Sequence, residues 1–123
     1  MWRDDAYILD IVLNARAAIE HVGGLTEGQF VEDSTVHGAT MYRLMLLGEA
    51  ANRVSQEWQG AHSDVPWRRM IGLRNRLIHD YRETQLDLAW RIVREDLPAV
   101  IDALEPFAPS ADYNSVPDEW ESV

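Results

Sequence analysis

Residues 74 to 81 read Arg74-Asn75-Arg76-Leu77-Ile78-His79-Asp80-Tyr81, and this octapeptide carries most of the chemistry in the sequence. The Arg74 guanidinium is a permanent planar cation able to fork onto a phosphate. His79 has the one side chain whose unperturbed pKa lets it both take and give a proton near neutrality. Together they make a minimal kit for cutting RNA without a metal. His79 removes the proton from a ribose 2′-hydroxyl, Arg74 holds the phosphate as charge builds, and the strand breaks by internal transfer. Asn75 and Tyr81 are supporting candidates, and Arg76 and Arg82 are candidate phosphate contacts. A structural reading fits the same residues: a helix end at which Arg74 pairs with a carboxylate and His79 caps the last carbonyls.

Other chemistries find little support. The chain has no cysteine, and so no disulfide, thiolate metal site or thiol nucleophile. It has no Gly-rich phosphate loop, no serine-elbow pattern and no pair of histidines at metal-ligand spacing. His21, His37 and His62 stand alone and are expected to be structural or solvated. The many carboxylates read as the solvated faces of amphipathic helices and suggest no catalytic pair. Neither a metal nor a cofactor is expected.

Formal net charge is −10, from 11 basic and 21 acidic residues, which opposes nucleic-acid binding by bulk attraction. The distribution is uneven. Arg68, Arg69, Arg74, Arg76 and Arg82 face a single acid, Asp80, in that stretch. A basic island in an acidic protein suggests local phosphate capture; a solvated helix face is the competing reading. RNA is the expected polymer, with no DNA and no membrane among the partners. No apolar stretch is long enough to span a bilayer, and Met1-Trp2-Arg3-Asp4-Asp5 lacks a signal-peptide layout, so a cytoplasmic address is expected.

The elements that must position the motif read as helices joined by short polar loops. Ile8, Ile11, Val12, Ala15, Ile19 and Val22 give one helix face from Asp5 to Val22, stopped by Gly23-Gly24. Thr26 with Gln29 resembles a capping box opening a short helical turn through Phe30. Asp33-Ser34 offers a cap for the longest helix, from Thr35 to about Trp58, with Gly48 inside it as a close-packing site. Pro66 suits the first turn of the motif helix, from Trp67 towards His79. Residues 80 to 85 are polar and predict a break. Thr84 with Asp87 restarts a helix to Leu104, in which Pro98 predicts a kink or a fresh start. No strand pattern or repeat is visible. An all-α, antiparallel bundle of four to five helices follows, as one domain.

The arrangement Arg-Asn-x-x-x-His-x-Tyr resembles the signature of HepT-like ribonuclease toxins, members of the HEPN superfamily. The likeness extends to Gly48-Glu49-Ala50 on the long helix, Val65-Pro66-Trp67 opening the next and Ile71-Gly72-Leu73 before the motif arginine. Trp90 and Leu97-Pro98 on the last helix continue it. The resemblance implies a HepT-like HEPN domain over residues 1–107; after Phe107 the periodicity is lost, and residues 108–123, outside the shared pattern, read as a flexible acidic tail. It further implies a homodimer whose two motifs face a shared cleft, acting as a metal-independent endoribonuclease toxin. The implied partner is a minimal nucleotidyltransferase antitoxin, which silences such toxins by binding and, in some members, by transferring AMP onto the motif tyrosine, here Tyr81. Asp80 adds negative charge beside the phosphate site. With the acidic balance of the chain it favours an alternative: a catalytically weak helical binding or dimerisation module that regulates its nucleotidyltransferase partner.

Helix geometry adds an independent constraint. At about 100° per residue, Arg74 and His79 point about 140° apart on one continuous helix, whereas Asn75 and His79 share a face. Either the helix ends near His79 and the imidazole turns back, or a second chain supplies the complementary group. Gly48 and Trp67 are candidates near such a dimer contact, with an intrachain role equally open to each.

Overall fold

Asp4 and Asp5 open the first helix, α1 (Asp4–Val22), placing acids where the backbone N–H groups are unpaired. Gly23 closes it at φ +53°, donating its N–H to Ile19 O, and Arg94 donates to the carbonyls of Gly23 and Leu25 beyond. The computed structural model describes residues 3–79 and 83–110. The remaining helices are α2 (Glu27–Glu32), α3 (Ser34–Arg53), α4 (Gln56–Ala61), α5 (Trp67–His79), α6 (Glu83–Arg91) and α7 (Leu97–Leu104). A π turn, Ile92–Asp96, joins α6 to α7, and a 3₁₀ turn, Glu105–Phe107, follows. The described residues contain no strand.

Local chemistry sets most of these boundaries. The Thr26 and Gln29 capping box is present at α2, and the Asp33 carboxylate accepts from Val36 N at the start of α3. Pro98 sits in the first turn of α7, directly after the π turn, where Leu97 N–H reaches back five residues to Ile92 O. An extra residue in that turn widens the backbone ahead of a proline that lacks an N–H and would crowd a regular α-turn. The expected kink is thus a π turn rather than a break. The restart comes at Glu83, one residue before Thr84. Residues 80–82 lie outside the described residues, as do 111–123 of the acidic tail.

One boundary departs from the periodicity. The expected helix to Trp58 stops at Arg53, Val54 is extended, and Ser55 caps a separate α4 by accepting from Trp58 N. The cause is distant in sequence. The buried Asp4 carboxylate accepts from both Ser55 N at 2.9 Å and Ser55 Oγ at 2.7 Å. This contact, with Arg43 donating to Asn14, also shows that α1 and α3 run antiparallel.

The core lies where α1 packs on α3 and α7, with α5 laid against α3. Ile8, Ile11, Val12, Leu44, Leu47, Met70, Leu97 and Leu104 are all essentially removed from solvent. Ala15, Ala18 and Ala51 are fully buried as well, and their small side chains let α1 and α3 approach closely. Phe30 carries α2 into the same core and meets Trp90 at 5.5 Å between ring centroids. None of the described helices is long and apolar enough to cross a membrane.

Burial pushes the Asp4 carboxyl up, the hydrogen bonds from the Ser55 side chain and backbone pull it down, and on balance the group lies below the usual carboxylate range. A folded-state pKa below the unfolded value gives a stabilisation that is whole above about pH 4 and is lost as pH falls through the folded value. Asp4→Ala is expected to cost about 1–3 kcal/mol at neutral pH by stranding Ser55 N–H. Urea unfolding across a pH series should show this gap closing on acidification; a gap independent of pH would contradict the assignment.

Candidate active site

Helix α5 presents the motif, and contacts along its length fix its position. At its start, Trp67 is buried and its indole Nε1–H donates to His62 O at 3.0 Å. Trp67 also meets Trp58 edge-on, while His62 stacks on Trp58 at 3.6 Å and its Nδ1–H donates to Trp58 O. Arg69 places Nη1 at 2.9 and 2.8 Å from the two Asp96 oxygens, tying α5 to the π turn. Met70, Leu73 and Leu77 are buried, the stripe that seats the helix on the core.

Midway along α5 the approach to α3 is closest. Gly48 is buried, and a Cβ added there would lie 2.3 Å from Arg74 Cβ and 2.8 Å from Met70 O. Beside this contact Glu49 reaches across: its Oε2 lies 2.7 Å from Arg74 Nη2. That oxygen is shielded from solvent and makes no well-aligned hydrogen bond, so the interaction is an ion pair of charge and proximity. Glu49 Oε1 accepts from Arg53 Nε at 2.8 Å. The Arg53 hydrogen bond and the charges of Arg74 and Arg53 hold the Glu49 carboxyl below its usual range, against the opposing effect of burial. Arg74 Nη1 donates to Asn75 Oδ1 at 2.9 Å.

The expected motif residues are therefore not all gathered at one point. Arg74 lies against α3, half-buried, while Asn75, Arg76 and His79 are exposed. Helix α5 is continuous through His79, so the imidazole is not turned back within residues 74–79, and the two side chains leave the helix about 140° apart. Tyr81 and Arg82, with Asp80, lie outside the described residues. Gly48 and Trp67 are packed within the chain, Gly48 against α5 and Trp67 against α4 and the loop after it. His37 meets Phe30 edge-on and His62 belongs to the Trp58 cluster.

Glu49 is the residue that periodicity and composition pass over. As one of 21 acids it reads as surface, and its place in the Gly48-Glu49-Ala50 run is the signal that marks it. A cleft of about 570 Å³, lined by Gln56, Gln59, Ser63 and Arg68 among others, opens at the start of α5 and does not include Asn75 or His79. Among the described residues no cluster of three or more His, Asp or Glu is arranged to hold a metal ion.

A family model described as ribonuclease HepT-like matches residues 12–107, and the chain belongs to the HepT-like family. "Putative RNase MJ1380" of Methanocaldococcus jannaschii is 33% identical over 95 residues, which cover 77% of this chain and 87% of that protein. "Putative RNase TTE0752" of Caldanaerobacter subterraneus is 30% identical over 92 residues, covering 75% and 82%. "Probable ribonuclease HepT" of Thermococcus cleftensis is 28% identical over 94 residues, covering 76% and 86%. No solved structure matches the chain.

Gly48→Ala separates two opposing effects. Helix propensity alone favours alanine by about 1 kcal/mol, whereas the added methyl must displace α5, since neither a Cβ nor a carbonyl can swing aside. Overpacking of this kind costs about 1–3 kcal/mol. A thermal midpoint below that of the wild type is the expected result; a raised midpoint would show that the α3–α5 approach is looser than described.

Proposed function

We propose that this chain is a metal-independent endoribonuclease toxin that works as a homodimer and is neutralised by a minimal nucleotidyltransferase antitoxin. The observation that carries the reading is the motif helix itself: family membership through residues 12–107, with an exposed His79 and a half-buried, oriented Arg74 on one rigid helix. The relatives' names as ribonucleases point the same way. His79 takes the 2′-hydroxyl proton, that oxygen attacks the adjacent phosphorus, and the 5′-oxygen of the next nucleotide leaves after protonation. The products are a 2′,3′-cyclic phosphate and a 5′-hydroxyl. Arg74 neutralises charge on the non-bridging oxygens as the phosphorus becomes five-coordinate.

The divergence of Arg74 and His79 gives the second chain a chemical role. A twofold axis beside α5 brings Arg74 of one protomer and His79 of the other to one phosphate. The exposed side of α5 suits such a contact. Ile78 is 48% exposed, Ile71 is half-buried, and the Cβ direction of Gly72 opens on empty space.

One observation favours the alternative of a catalytically weak module that regulates the nucleotidyltransferase. Arg74 is already paired with a carboxylate, as a structural arginine would be. Cleavage of a labelled RNA by the purified chain separates the two readings. Cutting in EDTA, a cyclic phosphate end, and a loss of about 10²–10⁴-fold in His79→Ala with unchanged circular dichroism are expected. Activity abolished by EDTA and restored by magnesium would overturn the mechanism, and no cutting at all would select the alternative.

Silencing through Tyr81 follows from the same site. AMP transferred to the Tyr81 hydroxyl, two residues beyond His79 in the motif, would add a bulky anion and exclude RNA by sterics and like charge. Incubation with the cognate nucleotidyltransferase and ATP should add AMP to a peptide containing Tyr81. Adducts mapping elsewhere, or full neutralisation of Tyr81→Phe by binding alone, would remove this tyrosine from the mechanism.

A further inference from the structure

Of the described arginines, Arg74 is the one whose guanidinium is held from both sides at the motif: Glu49 Oε2 at 2.7 Å from Nη2 and Asn75 Oδ1 at 2.9 Å from Nη1. Glu49 is itself fixed, because Arg53 donates to its other oxygen at 2.8 Å. The side chains of Glu49 and Arg74 are 34% and 28% exposed, far less free than a surface pair. A guanidinium has five N–H donors in one plane. The Asn75 bond engages one of them, on Nη1, while the Glu49 carboxylate sits against Nη2 as an ion pair of charge and proximity.

We propose that Glu49 is a positioning residue for Arg74: it holds the guanidinium in the orientation that meets the reacting phosphate, and it competes with RNA for the arginine's charge. The proposal rests on the ribonuclease reading above. Its two halves have opposite consequences for binding and for turnover. A fixed planar donor set makes its contacts to the transition state without reorganising, which speeds the chemical step. A carboxylate at 2.7 Å cancels much of the attraction that Arg74 offers a ground-state phosphate, which weakens binding. Glu49 takes no proton part in this. It is a carboxylate pinned between two arginines, and it acts only through Arg74.

Glu49→Gln keeps the shape and an acceptor oxygen but removes the competing charge. It should bind RNA several-fold more tightly and cleave it at least ten-fold more slowly. Glu49→Asp keeps the charge on a shorter stem and should cleave more slowly without tighter binding. Arg53→Gln loosens Glu49 from behind and should lower kcat with little change in binding. Binding is read by fluorescence anisotropy on a 2′-O-methyl RNA oligonucleotide, which lacks the attacking hydroxyl, and kcat on the unmodified oligonucleotide. Thermal midpoints are recorded for each variant. Weaker or unchanged RNA binding by Glu49→Gln, with a lowered midpoint, would show that Glu49 merely fastens α3 to α5 and would overturn the proposal. Should Glu49→Gln fail to fold, the Arg53→Gln and Glu49→Asp pair decides, and unchanged kcat in both overturns it. Failure of the wild type to cleave any RNA would instead sink the ribonuclease reading, and this proposal with it.

Discussion

At Gly48 the α3 and α5 helices come so close that a single methyl group has no room, its carbon falling 2.3 Å from Arg74 Cβ. Such an approach lets one residue further along, Glu49, reach the guanidinium across the gap. It also sets the register of Met70, Leu73 and Leu77 in the core. Packed interiors shift as units rather than yielding locally. The α3–α5 contact therefore couples the fold's largest interfaces to the orientation of one arginine. The other ties on α5, the Trp67 indole to His62 O and Arg69 to Asp96, fix its start and its angle against the π turn.

That constraint also explains why Arg74 and His79 diverge on α5. With Arg74 committed to the α3 side and the helix unbroken through His79, the exposed imidazole leaves the helix about 140° away from it, on the face it shares with Asn75. Rotation about side-chain bonds moves a guanidinium or an imidazole by a few ångströms; it does not reverse a helix face. The proposed composite site follows from this rigidity, and so does the importance of whatever holds Arg74.

Several elements were legible in the sequence because their causes are local. The Thr26 and Gln29 capping box, the Asp33 cap, the stop at Gly23 and the start at Trp67 depend on side chains within a few residues of the backbone they satisfy. Gly48 as a close-packing site was readable for a similar reason: glycine inside a long helix has a cost that close packing can offset. The break at Val54 was not readable, since it depends on the bond between Ser55 and Asp4, which lie 51 residues apart. The π turn was legible only as trouble at Pro98. At the site, residue types and spacing picked out Arg74 and His79, but nothing local reveals that Glu49 faces Arg74, because that contact exists only once α3 and α5 are laid together.

The central claim is that one functional site needs two chains. Arg74→Ala and His79→Ala chains, each inactive alone, can be mixed, unfolded and refolded together so that the subunits exchange, and then assayed on RNA. If Arg74 and His79 act from opposite protomers, every mixed dimer regains one intact site, and statistical pairing restores roughly a quarter of wild-type cleavage. Activity no greater than that of the separate variants, with mixed dimers confirmed by mass, would contradict the account and place both groups in a single chain.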